Sequence, residues 1–222
     1  MQNAKRFNLQ GKPGNTFTFM LRHKAYHSDQ QKMKLFFLIL PFLILGCNTV
    51  NTKKKEPQNN DLRLSISISE FDTLHDWSLA WRLLEPIRNS SATFGKEKNI
   101  NTASVGQQSL QAFYDMNSEV TNGGFIQFFW NGYGESISIL KKGLQLVGDS
   151  AILKIVSAAE TEHIKHQKEF ENQKLKNDWE PLYDNLKTFD SLDQVYYKTQ
   201  QKGIALFEKF IRDHAEQFIV LQ

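Results

Sequence analysis

The sequence predicts an all-α fold, a compact bundle of about six or seven helices over residues 70–222, behind an N-terminal region with no share in the core. From Glu70 onward apolar residues recur at three- and four-residue steps, and no run sustains the two-residue alternation of a strand. The breaks between those runs hold glycine, proline, asparagine and serine, which start and stop helices. With 222 residues and a single cysteine, Cys47, the chain has enough length for one ordinary core and no intrachain disulfide.

Leu74, Trp77, Trp81 and Leu84 lay one apolar stripe on a first helix, which Pro86 should end. The stretch NSSATFGKEKNINTAS then has loop composition. Leu110, Phe113, Tyr114 and Val120 mark a second helix, running into the segment NGGFIQFFWNGYGE. Leu140, Leu144 and Val147 mark the next, closed by Gly148 in a left-handed cap. Asp149 or Ser150 can cap its successor, whose buried face is Ile152, Ile155, Val156 and Ala159. After Glu160 that helix turns charged, so its far end should project into solvent. NDWEPLYDNLKTFD reads as a connection with aromatic anchors. Ser191 to Gln194 has the spacing of a capping box and should open a long final helix, with Tyr196 or Tyr197, Ile204, Phe207, Ile211 and Phe218 on its apolar face.

The N-terminal region reads as targeting sequence. Met33 and Lys34 give a basic start, Leu35 to Gly46 an apolar run, and Ile44-Leu45-Gly46-Cys47 resembles a lipobox, the bacterial site of cysteine lipidation. Twelve residues rise about 18 Å as a helix, short of the roughly 30 Å hydrocarbon core. A signal segment at 33–46 therefore fits better than a membrane span. Residues 1–32 become an upstream extension without a fold, and 47–69 a lipidated Cys47 with a flexible polar tether. The membrane would be met through a palmitate-type acyl chain on Cys47, and the location would be the bacterial cell envelope. The whole-chain charge of +3 arises in this region; residues 70–222 hold 21 acids against 16 Lys and Arg.

Gly123-Gly124 sits where one helix must stop and another begin, because glycine allows positive φ without a Cβ clash. Asn122 can bond nearby backbone, and Phe125, Phe128 and Phe129 fall at inward-pointing spacing. Asn131 to Gly134 makes a second turn. Gln127, Trp130 and Asn131 lie off the phenylalanine face, and Trp130 and Tyr133 are the candidate partner contacts, since aromatics beside turns often serve that role. Glu119, Asn122-Gly123-Gly124-Phe125, Gln127-Phe128-Phe129, Asn131 and Gly134, followed by a helix ending in Val147-Gly148, resemble the all-α domain family named for the C-terminal part of a bacterial DNA mimic protein, number nineteen in its series. The resemblance covers Leu110 to Ala159 well and 70–222 loosely. It implies a helical domain, a largely structural motif, and members mostly without assigned activity. The mimicry that it also implies conflicts with the charge: DNA carries one charge per roughly 1.7 Å of axis, whereas Lys141, Lys142, Lys165 and Lys168 interrupt any acidic stripe. No nucleic acid is expected as a partner.

Glu160 and His163 form a Glu-x-x-His pair with His166 nearby, the pattern that builds di-iron sites when two such pairs and two further glutamates converge. No second pair occurs, and one helix cannot close a coordination sphere alone. No Gly-x-Ser-x-Gly elbow and no Gly-Lys-Ser/Thr phosphate loop is present. The expectation is a lipid-anchored, non-enzymatic, cofactor-free domain that binds an unknown protein. The alternatives are a structural envelope component and a metal-dependent enzyme using Glu160, His163 and His166.

Overall fold

The computed structural model of the chain describes residues 61–90 and 102–222. The signal-like run, Cys47 and the upstream extension lie outside them. Within Leu-Ser-Ile, the two apolar side chains point one way and the serine the other, and this triplet forms strand β1 (Leu64–Ile66). It pairs in parallel with β2 (Ile219–Leu221), Leu64 opposite Ile219 and Ile66 opposite Leu221. This ladder departs from a purely helical expectation, and its strand β1 lies inside the segment 47–69 expected as tether. Three residues are too few for a periodicity to register, and the partner strand sits at the other end of the sequence.

Helix α1 (Ile68–Thr73) starts where the Ser67 hydroxyl accepts the Glu70 amide. Helix α2 (Asp76–Leu83) follows, then α3 (Glu85–Asn89) with Pro86 in its first turn. Pro86 therefore opens a helix as well as closing one, because its missing N–H costs nothing where the helix has no acceptor for it. The chain turns at Leu84, and this changes the buried face. Leu79, Ala80, Leu83 and Leu84 are buried, Trp77 packs partly against the core, and Trp81 is 51% exposed under the Arg88 guanidinium, 3.5 Å from its ring centroid. The stripe expected through Trp81 is thus rotated toward Leu79 and Leu83.

Four long helices enclose the core. Helix α4 (Val105–Trp130), capped by Ser104 and Gln107 in a reciprocal box, packs on α5 (Ile137–Leu146) and on α9 (Lys187–Asp213); α6 (Ser150–Lys165) packs on α5 and α9 from the other side. Phe113 of α4 stacks on Phe207 of α9 at 4.6 Å and on Trp77 at 5.5 Å. Gly203 lets α9 approach closely, since a Cβ there would lie 2.5 Å from Ile152 Cδ1 and 2.9 Å from the Phe113 ring. Gly148, at φ +75, ends α5 as expected, and the Asp149 carboxylate caps α6 through the Ile152 amide at 2.9 Å.

The far end of α6 does not simply project. The chain turns at His166 into α7 (Gln167–Lys176), and Phe170 folds back into the core at 1% exposure. Short α8 (Glu180–Asn185) then leads into α9, which begins at Lys187, four residues before the expected capping box. Tyr196, Ile204, Phe207 and Ile211 line its buried face; Phe218 is buried too, but beyond the helix, after a 3₁₀ turn at Ala215–Gln217. Among the described residues, six helices have eight or more residues and three are shorter. The expected all-α bundle of six or seven helices is the architecture found.

Candidate functional site

Helix α4 bends at Gly123 and Gly124. Gly124 has φ 74 and ψ −177, a region open essentially to glycine alone. Space adds a second demand, because a Cβ on Gly124 would fall on the Asp193 carboxylate. A helix broken here leaves carbonyls of its first half and amides of its second without intrahelical partners. Side chains of α8 and α9 serve them. The Tyr197 hydroxyl donates to the Val120 carbonyl at 2.9 Å, the Tyr183 hydroxyl donates to the Gly123 carbonyl at 2.6 Å, and Asp193 Oδ1 accepts the Phe125 amide at 2.9 Å. Asp193 thus caps the second half of α4 from across the bundle instead of opening its own helix.

The polar motif residues close on one carboxylate. Glu119, 6% exposed, accepts from Gln127 Nε2 at 2.8 Å and Asn131 Nδ2 at 2.7 Å, both on Oε2. The remaining Gln127 oxygen accepts from Asn122 Nδ2 at 3.0 Å. Phe125, Phe128 and Phe129 are all buried, and Gly134 leaves room for the Phe129 ring, 3.0 Å from where its Cβ would be. Trp130 and Tyr133 are half-buried against the core. Tyr133 stacks on Phe128 at 6.1 Å, and its hydroxyl pKa is pushed up by burial and then by the charges of Asp115 and Glu119. Only the half-exposed edges of these two rings remain for contact.

One turn before Glu119, Asp115 accepts from Gln111 Nε2 at 2.8 Å. Desolvation pushes its carboxyl up to about 7, with the Glu119 charge adding to the rise, while Gln111 and Arg88 oppose it. Asp193 is likewise pushed up to about 6, by burial and by neighbouring Asp190, against the Phe125 hydrogen bond.

The three residues weighed for a metal are engaged separately. Glu160 pairs with Lys141 at 2.8 Å. The His163 ring stacks on Phe129 at 4.1 Å and 3°, against Phe170, and burial lowers its pKa. His166 lies between Glu162 at 3.2 Å and Glu169 at 2.7 Å. Among the described residues no group of three or more His, Cys, Asp and Glu side chains is placed to hold an ion. Sequence reasoning missed Tyr183, Asp193 and Tyr197 as parts of the corner. The usable signal was weak: an Asp and two Tyr in a polar stretch whose role depends on a contact more than fifty residues away.

A model of the DMP19-like protein family matches residues 101–214, which run from just before α4 through α9. DNA mimic protein DMP19 of Neisseria meningitidis serogroup B is 27% identical over 144 residues, 64% of this chain and 87% of that protein.

Proposed function

The chain belongs to the DMP19-like protein family, and from that premise we propose that it is a lipid-anchored protein-binding domain of the bacterial cell envelope. One observation carries the binding role. The motif side chains best suited to grip a ligand, Glu119, Gln127, Asn131 and Asn122, already use hydrogen-bonding capacity on each other around the buried Glu119 carboxylate, even though Asn122 and Asn131 stand at the exposed edge of the corner, so recognition falls to the surface beside it. That surface is fixed to the corner by Tyr183, Asp193 and Tyr197.

The anchor is read from the basic start at Met33-Lys34, the apolar run to Gly46 and Cys47. Residues 33–46 are the removed signal, 1–32 an upstream extension, and the polar segment from Cys47 to about the start of the folded domain a tether. The Neisseria relative is named a DNA mimic; in this chain the bases Lys141, Lys142, Lys165 and Lys168 break up a phosphate-like row, so the interaction proposed is with a protein but not through an extended mimic of DNA. The separate engagement of Glu160, His163 and His166 favours binding over metal chemistry.

Crosslinking in intact cells, followed by purification of the full chain, tests the reading. The expected outcome is one partner at fixed stoichiometry that is lost when Cys47→Ser displaces the protein from the membrane. Recovery of the full chain alone, at every crosslinker length, contradicts it.

A further inference from the structure

The acidic charge of the domain is concentrated in one stretch of the chain, which runs through α8 into the start of α9. Between residues 178 and 197 stand five acids, Asp178, Glu180, Asp184, Asp190 and Asp193, against one base, Lys187. The rest of residues 70–222 holds 16 acids and 15 Lys and Arg, near balance. Lys187 offers little to compensate, since it donates to the Tyr183 carbonyl at 2.6 Å and pairs loosely with Asp190 at 3.7 Å.

The same stretch carries aromatic rings. Trp179 is 49% exposed and Tyr197 37%, and Trp179 meets Tyr183 edge-on at 5.1 Å. The Tyr183 and Tyr197 hydroxyls are held by carbonyls of the α4 corner, which fixes how the rings are presented. The field along this stretch is negative enough to act on them: the Tyr183 hydroxyl is pushed up to about 12, first by burial and then by Asp193, and Tyr197 is raised by burial, Asp193 and Asp190. Like charges at Asp190 and Asp193 repel, the Lys187 pair at 3.7 Å from Asp190 being too long and too exposed to cancel that repulsion, and ring faces attract cations over short distances.

We infer that the α8–α9 face, Trp179, Tyr183, Asp184, Asp190 and Tyr197, is the docking surface for a lysine- or arginine-rich segment of a partner protein. The partner cations lie over the Trp179 and Tyr197 rings and pair with Asp184 and Asp190, an arrangement that joins cation–π contact to charge complementarity. Asp193 stays behind as the cap of Phe125. This inference rests on the protein-binding reading and names the class of segment bound.

The test uses the full chain, in detergent, and a fluorescent ten-residue lysine peptide as probe. Binding should weaken with salt, and by about tenfold, the equivalent of about 1.4 kcal/mol, in Asp184→Asn/Asp190→Asn and again in Trp179→Ala. All three positions are exposed and outside the core, so folding, checked by circular dichroism, should persist. The control Glu169→Gln/Glu171→Gln, on α7, removes the same charge elsewhere. Equal losses in the control and the α8–α9 variants, or no binding by the native chain, overturn the proposal. The same variants enter the in-cell crosslinking: a partner still captured by Trp179→Ala and Asp184→Asn/Asp190→Asn overturns this surface while leaving the protein-binding reading standing, whereas absence of any partner with the native chain fails both.

Discussion

At the scale of single residues, the glycine corner separates conformational strain from crowding. Gly124 and Gly132 both have positive φ, 74 and 88, but a Cβ at Gly132 meets nothing within 4 Å, whereas one at Gly124 displaces Asp193. Gly132→Ala costs about 1–2 kcal/mol for the left-handed backbone; Gly124→Ala costs about 1–3 kcal/mol for a backbone region essentially reserved for glycine and adds loss of a helix cap, about 0.5–2 kcal/mol. Thermal or urea melts should therefore rank Gly124→Ala well below Gly132→Ala; equal losses would mean that Asp193 contributes nothing at the corner. Phe128→Ala, at a fully buried ring, should cost about 3–5 kcal/mol by the same assay. The glycine pair and the three phenylalanines were legible because local chemistry decides them. Glu119 as the hub of Gln127 and Asn131 was not, since no spacing rule tells which of several polar side chains a buried carboxylate will bond. Asp115 offers a titration test. Its folded pKa is raised to about 7, above the ordinary carboxylate value, so the folded state binds the proton more tightly and stability falls as pH rises through about 4 to 7. Asp115→Asn should remove that component: the native chain should lose stability relative to the variant between pH 5 and pH 8. His163 works in the opposite sense, its lowered pKa costing stability as the medium is acidified, which is why the difference between native and variant is the quantity to read.

At the scale of elements, helices were legible wherever one face stays buried over several turns. Helix α6, with Ile152, Ile155, Val156 and Ala159, lies where periodicity puts it. Three kinds of element escaped. Strand β1 is too short for a period and depends on β2 from the other end of the chain. Helix α3 hides behind Pro86, whose most familiar effect is to end a helix. Helix α9 starts early because Leu186 and Phe189 find buried sites, and the capping residues behind them are then free to serve α4. The Asp193 contact makes α9 a support of the α4 corner. Asp193→Ala should accordingly expose the second half of α4, seen as faster amide hydrogen exchange at Phe125 and Ile126 than at Leu110 and Phe113; uniform acceleration along α4 would instead mark general destabilisation.

At the scale of the whole molecule, a helical core and a corner braced from two helices carry the surface of α8 and α9 proposed for recognition. Where the domain stands decides which partners it can meet, and the proposed anchor at Cys47 sets that place. Intact-mass analysis of the chain purified from the membrane fraction tests it most directly. The expected result is a mature product beginning at Cys47 and carrying the added mass of acyl chains, and its loss in Cys47→Ser. A mature product that retains residues 1–32, or one with an unmodified Cys47, would contradict it.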